Sequence, residues 1–348
     1  MYETIDPHGS KAPGYARPAP DHDLWSPSDP RYTGHWAPYV RDLRPGPDGK
    51  PHMTEPYTVN QHTSELFADH AVKFLRSHAT SNDDPFFMFV SFNAPHDPRQ
   101  APQSFIDLYP PAAMPLPPAY AAQHPFDNGD LTIRDEKLAP AIRTPEAIRV
   151  HRSEYYAIIT HLDQQIGRVL NALEESGQAD NTYIVFTSDH GLAVGNHGLL
   201  GKQNPYDHSI RMPFTIVGPG IAADHRRAEK IYMQSAFPTT LEIAGLPVPD
   251  SVEFPSLKQT LLHDQPFAGE AVIFGGYMEN QRYVRTDEFK LIRYPNHHRI
   301  QLFNIRTDPH ELDDLSSRPD HADIITSLTQ TLRRLQKEKG DGILTSSR

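Results

Sequence analysis

Residues 182–220 read TYIVFTSDHGLAVGNHGLLGKQNPYDHSIRMPFTIVGPG, and within them Asp189, His190, His197 and Lys202 could do chemistry together. Asp189 and His190 end an apolar, β-branched run that predicts a strand over 183–188. Open α/β sheets present ligands at the carboxyl ends of their strands. A carboxylate beside an imidazole suits several divalent cations, although calcium prefers all-oxygen shells. Neighbouring residues point apart, and Gly191 permits the sharp turn that would aim both at one ion. The plainer alternative is Asp189 capping the next helix, with His190 as its hydrogen-bond partner. Lys202 comes thirteen residues after Asp189, in a segment with glycines at 191, 195, 198 and 201. Such a backbone can wrap closely around a ligand, and lysine is a compact point charge suited to phosphate or sulfate. A solvated loop lysine is the alternative, and His197 carries a similar pair of readings.

A second apolar run, FFMFVSF at 86–92, ends at Asn93-Ala94-Pro95-His96. Its continuous apolarity is that of a strand buried on both faces. If the two strands are parallel, His96 and Asp189 open on one crevice. Arg99 and Gln100 come soon after; they could bind an anion or sugar hydroxyls, or form a rim.

Elements must position these groups. Thr63 can cap a helix to about Ser77, with Phe67, Ala71, Phe74 and Leu75 on one side. Thr144-Pro145-Glu146 is a strong helix start, and Gly177 is its stop. Strands over 183–188 and 214–217 come next, then a helix over 235–244 ended by Gly245. This alternation predicts an α/β domain over residues 1–254 with a largely parallel, doubly wound sheet. After Pro255 the pattern changes to short strands at 271–276, 282–286, 289–294 and 299–305, then a helix over 321–337. We read residues 255–348 as a small antiparallel sheet with a C-terminal helix. Residues 1–60 show no period; their aromatics Tyr15, Trp25, Tyr32, Trp36 and Tyr39 suit either an anchored surface loop or the wall of a sugar- or aryl-binding cleft. Residues 97–143 form a long proline-rich connection, usually functional or an insertion.

The chain has 348 residues, 34 prolines, no cysteine and a net charge of −11. The charge argues against nucleic acid or an anionic membrane surface as partner. An anionic substrate would need a local basic cluster working against that field. Without cysteine there are no disulfides, thiolate metal sites or cysteine nucleophile. The first residues show no apolar signal-peptide core, and no stretch reaches the ~20 apolar residues that span a bilayer. Localisation stays open.

Taken in order, several blocks resemble the sulfatase family of the alkaline-phosphatase-like superfamily. They are PFFMFVSFNAPHDP at 85–98, YYAIITHLDQQIGRVLNALEESGQADNTYIVFTSDHG at 155–191, GNHGLLGK at 195–202, RMPFTIVGPG at 211–220, AFPTTLEIAGLPVP at 236–249, and VRTDEFKLIRY with LFNIRTDPHELDDL between 284 and 315. The resemblance covers most of the chain and implies an alkaline-phosphatase-like fold and sulfuric ester hydrolysis, with a sulfated carbohydrate as the expected substrate. It implies that Asp189 and His190 ligate a divalent metal, usually calcium. By the same resemblance Lys202 contacts the sulfate, His96 contacts it or protonates the leaving oxygen, and His197 is a further active-site histidine. The family's nucleophile is a formylglycine made in a C/S-x-P-x-R motif; these residues contain no such motif, and Ser28-Asp29-Pro30-Arg31 has the wrong spacing. The family's first-strand Asp pair and its G-K-W-H segment are not found either. We therefore expect a sulfatase lacking its nucleophile-bearing portion and inactive as an isolated chain. The alternatives are a phosphatase or phosphonate-ester hydrolase of the same superfamily, or a non-catalytic anion-binding remnant.

Overall fold

The structure is a computed structural model that describes residues 3–5, 35, 36, 38–81, 84–267 and 271–343. The chain forms two compact units, one of residues 1–116 and 138–180, the other of residues 117–137 and 181–348.

In the first unit, β1 (Glu3–Ile5) pairs antiparallel with β2 (Tyr39–Pro45), as do β3 (Pro51–Met53) and β4 (Tyr57–Thr58). Residues 1–60, which show no period in the sequence, thus include strands. Gly49, at φ +74°, turns the chain, and the Gly46 N–H donates to the Lys50 carbonyl at 2.7 Å to close the β2–β3 hairpin. Tyr15, Trp25 and Tyr32 lie outside the described residues. Trp36 sets its ring edge-on to His62, with centroids 5.2 Å apart.

Helix α1 (Thr63–Ser81) and the long α3 (Pro145–Glu175) form the body of this unit, with the short α2 (Gln103–Ile106) beside α3. Thr144 caps α3 by accepting the Ala147 N–H at 3.2 Å. Gly177, at φ +73°, lets the chain leave the helix in a left-handed conformation that other residues resist. Ala157 and Ile158 of α3 pack with Ala94, Ala101, Phe105 and Leu162.

The run 86–92 is extended but has no strand ladder among the described residues. It still alternates: Phe86, Met88, Val90 and Phe92 are half-buried, while Phe87 and Phe89 are 75% and 81% exposed. Phe86 meets Phe74 and His78, and Phe92 meets Phe67, all on α1. The expectation of a strand covered on both faces is met on one face only.

In the second unit, β5 (Ile184–Thr187) pairs antiparallel with β6 (Phe214–Val217), in the register Ile184↔Val217. The largely parallel sheet expected for these strands is not formed among the described residues; every ladder there is antiparallel. Between β5 and β6 lies α4 (Asp207–Ile210), and α5 (Ala236–Ile243) and α6 (Lys258–His263) come after β6. The C-terminal sheet is a four-stranded antiparallel meander of β7 (Ile273–Tyr277), β8 (Gln281–Arg285), β9 (Phe289–Tyr294) and β10 (Arg299–Asn304), and α7 (Ala322–Glu338) completes it.

Both faces of that sheet are used. Val284, Leu291 and Leu302 pack on Leu328, Leu332 and Leu335 of α7. Ile292, Tyr294 and Phe303 pack instead on Ala193, Leu199 and Tyr206. Successive strand residues point to opposite faces, so β9 holds α7 with one set and the 193–206 segment with the other. That second contact fixes the candidate site. Among the described residues no helix is long and apolar enough to cross a membrane.

Candidate functional site

Residues 193–201 fold back on themselves. The N–H groups of Ala193, Val194 and Gly195 donate to the carbonyls of Gly201, Leu200 and Leu199 at 3.0, 3.3 and 2.8 Å. The tip between these limbs is neither helix nor strand, and Gly195, His197 and Gly198 take φ of +97°, +53° and +75°. A Cβ on Gly198 would lie 2.2 Å from the Gln123 carbonyl carbon, so glycine is required there for space as well. His197 sits at the tip, with its N–H on the Ala119 carbonyl at 2.6 Å.

The return limb is stapled by a side chain that sequence reasoning missed. The buried Glu136 accepts the Leu200 N–H at 3.0 Å and the Gly201 N–H at 2.8 Å. Lys202 comes immediately after. Its Nζ lies 3.2 Å from Asp135 Oδ2, and its side chain is 16% exposed against 3% for Asp135. Gln203 braces both residues: its amide oxygen accepts the Lys202 N–H at 3.0 Å and its amide nitrogen donates to Asp135 at 2.9 Å. Burial acts to raise the Asp135 pKa. The Gln203 hydrogen bond and the charges of Lys202 and Arg134 outweigh it and hold the carboxyl below the usual carboxylate range. Lys202 is thus a held cation, not a loosely solvated one. The sequence signal for its partners is an Asp-Glu pair inside the long proline-rich connection.

The His197 ring stacks on Tyr206, with centroids 3.9 Å apart and planes within 7°, and His208 lies 5.6 Å away. Burial, aided by the neighbouring His124 and by the Lys290 charge, pushes His197 down to about 4. It is a neutral imidazole at pH 7, suited to hydrogen bonding and poorly suited to giving up a proton. His208, which the sequence reading passed over, is held neutral by burial in the same way, and its Nε2 has no hydrogen-bond partner among the described residues.

Beneath these rings is a buried charge cluster. Lys290 of β9 is fully buried, with Nζ 2.6 Å from Asp207 and 2.5 Å from Glu311. Arg285 of β8 reaches the other Asp207 oxygen at 3.2 Å. The Asp207 N–H, at the start of α4, donates to Glu311 at 2.7 Å. Near the end of α4, Ser209 offers its carbonyl to the Gly191 N–H at 2.8 Å. The sheet thereby sets α4, and α4 sets the turn after Asp189 and His190.

Asp189 has a side chain 78% exposed, and its Oδ2 is 3.4 Å from His190 Nε2. His190 Nδ1 meets the Gly191 carbonyl at 2.9 Å. A carbonyl only accepts, so Nδ1 carries the proton and, in the neutral ring, Nε2 presents its lone pair toward the Asp189 oxygen. When the ring is protonated the same contact is an imidazolium–carboxylate ion pair. Asp189 also accepts the His190 N–H at 2.9 Å, which is the local turn rather than a helix cap. Two donors do not complete a shell, and among the described residues no cluster of three or more His, Asp or Glu could hold a metal ion.

In the first unit, His96 is half-buried and its Nδ1 donates to the Asp97 carbonyl at 2.9 Å. Arg99 is fully buried. Its Nε is 3.0 Å from Asp97 Oδ1, and its Nη1 donates to His151 Nδ1 at 2.7 Å. The rim reading of Arg99 is therefore corrected: its guanidinium braces the interior of its unit. Gln100 is equally buried, with its carbonyl 2.9 Å from His62 Nε2.

This fold is shared with known hydrolases. A solved phosphonate monoester hydrolase from Silicibacter pomeroyi is 25% identical with a TM-score of 0.67, over 87% of this chain and 66% of that one. A structure solved in complex with its substrate D-glucosamine-2-N,6-O-disulfate is 22% identical with a TM-score of 0.68, over 88% of this chain and 76% of that one. The architecture is alkaline-phosphatase-like, with the small antiparallel sheet and helix at its C-terminal end. The family model for sulfatases matches residues 11–246, and that for the N-sulphoglucosamine sulphohydrolase C-terminal region matches 195–338. An arylsulfatase of Clostridium perfringens is 30% identical over 295 residues, 82% of this chain and 60% of that protein. The chain belongs to the sulfatase family. It spans 60% of the clostridial protein's length.

Proposed function

We propose that this chain takes part in hydrolysis of a sulfuric ester, with Lys202 binding the ester's anionic group. The observation that carries this reading is the construction around Lys202: a self-closed loop, stapled by Glu136 and braced by Gln203, that delivers one largely covered cation. Asp189 and His190 would hold a divalent cation, calcium in the family reading. When bound, that cation would supply positive charge beside the ester oxygens. Neutral His197 would contribute a hydrogen bond. A sulfated carbohydrate is the substrate class we favour, and the neighbour solved with a disulfated glucosamine supports that choice. The 348 residues hold no cysteine and no C/S-x-P-x-R sequence, so these residues bind and orient an ester without supplying the family's nucleophile.

The test has two parts. Calcium binding by the purified chain, measured by equilibrium dialysis, should weaken strongly in Asp189→Ala and stay near wild type in His197→Ala. Aryl sulfate turnover with calcium present should be absent from the chain alone. Equal calcium affinity in both variants would refute the placement of the cation, and turnover abolished by Lys202→Ala would refute the inactivity. A phosphonate- or phosphate-ester hydrolase is the second reading, favoured by the likeness to the phosphonate monoester hydrolase.

A further inference from the structure

We propose that Asp135 is a specificity-determining residue, whose carboxylate beside Lys202 favours singly charged esters and disfavours doubly charged phosphate monoesters. The inference rests on the reading that Lys202 binds the ester anion. Lysine alone would not discriminate this way; a point cation prefers the more highly charged ligand. Here the cation comes with a fixed anion. Asp135 is 3% exposed at its side chain and lies 3.2 Å from Lys202 Nζ. It cannot swing away, because Gln203 donates to Oδ2 at 2.9 Å and Arg134 Nε donates to Oδ1 at 2.8 Å. The bracing of Gln203 on the Lys202 N–H ties the same carboxylate to the backbone that carries the lysine.

Among the described residues, the charged and titratable groups near Asp135 include Lys202, Arg134, Glu136 and Tyr277. Lys202 and Arg134 are the cations that keep Asp135 ionised. Glu136 turns its oxygens to the Leu200 and Gly201 N–H groups. Burial and the charges of Asp130 and Asp135 push the Tyr277 phenol up, so it stays neutral. An anion hydrogen-bonded to Lys202 therefore lies within about 6 Å of a permanent negative charge. A sulfate ester brings one charge, and so does a phosphonate monoester. A phosphate monoester brings two above its second pKa of about 6. The extra charge meets Asp135 in a partly covered site, a penalty of roughly tenfold in affinity.

The experiment is calorimetric titration of phenyl sulfate and phenyl phosphate into the purified chain at pH 8, with calcium held constant. The variants are Asp135→Asn, Arg134→Met and Lys202→Met. We expect Asp135→Asn to move the affinity ratio about tenfold toward phenyl phosphate relative to wild type. Arg134→Met leaves Asp135 less compensated and should move the ratio the other way. At pH 5, where phenyl phosphate is singly charged, the wild-type and Asp135→Asn ratios should converge. A role in bracing alone would lower both affinities and leave their ratio fixed, so an unchanged ratio in Asp135→Asn and Arg134→Met overturns the proposal. If Asp135→Asn does not fold, Arg134→Met decides. Wild-type chain that binds neither ester, or Lys202→Met that binds both as before, overturns the underlying assignment of Lys202 instead.

Discussion

Replacing Glu136 by alanine should unlatch the loop that carries Lys202. The carboxylate is buried and receives two backbone N–H groups, from Leu200 at 3.0 Å and Gly201 at 2.8 Å. Leu200 is itself fully buried, so water cannot easily replace the lost acceptor. Each buried donor left without a partner costs about 1–3 kcal/mol. The cavity left by the side chain adds to this, while local relaxation subtracts. We expect a loss of about 2–4 kcal/mol, which for a unit of this size lowers the melting temperature by roughly 5–15 °C. Glu136→Gln keeps one carbonyl acceptor and should lose about half as much. Gly201→Ala should fail in the same direction, because a Cβ there would lie 2.6 Å from Gln203 Oε1 and 3.0 Å from Glu136 Oε1. Differential scanning calorimetry and urea titration of the three variants measure these losses. A Glu136→Ala protein within about 0.5 kcal/mol of wild type would show that the staple contributes nothing and that the loop is held by its apolar contacts to the sheet.

Lys290→Ala should cost about 3–5 kcal/mol, because it takes the cation at 2.5 Å from the buried Glu311 and leaves Asp207 to Arg285 alone; urea unfolding checks it, and a loss below about 1 kcal/mol would refute the cluster's role. Acid should weaken the fold ahead of general carboxylate protonation. His62 is pushed down to about 2 by burial with His35 and His161 nearby, and His124 and His197 to about 4 mainly by burial. Each such histidine has a folded pKa below its unfolded value of about 6.5. Their stabilising share is therefore complete above a pH of about 6.5 and declines as pH falls toward about 4. Urea midpoints at pH 7.5 and 5.0 should differ, and less so in His62→Gln; equal midpoints in wild type would be the contrary result. Phe87→Thr with Phe89→Thr should reduce self-association seen by light scattering without lowering the melting temperature, since both rings are largely exposed. A drop of several degrees would mean that the rings are packed in solution.

The elements most legible in the sequence were those whose local signals agree with their burial. Thr144-Pro145-Glu146 announced α3, and its cap forms as expected. The C-terminal meander was readable because its strands are short, β-rich and separated by turns; the Thr286 N–H to Phe289 carbonyl bond at 2.9 Å closes the turn between β8 and β9. The β2–β3 hairpin was missed because Arg41, Asp42 and Arg44 break any apolar alternation, although Asp48-Gly49 is a turn signal. The ladder expected for 86–92 was over-read: continuous apolarity says that a strand seeks cover on both faces, not that the cover is at hand. At the candidate site, the strand-end and loop positions of Asp189, His190, His197 and Lys202 were legible. Glu136, Asp135 and Lys290 were not, because each acts across more than 60 residues of chain. Nothing in their local sequence marks a side chain that will be needed elsewhere.

That separation has a consequence for how the protein is made. Asp207 waits for Lys290, 83 residues later, and for Glu311, 104 residues later. At about 5–20 residues per second of synthesis, the α4 segment and the turn it holds after Asp189 stay unanchored for roughly 5–20 seconds after they emerge. A nascent chain stalled before Glu311 should therefore be cut by protease near residues 191–210, and a chain released past Leu315 should not.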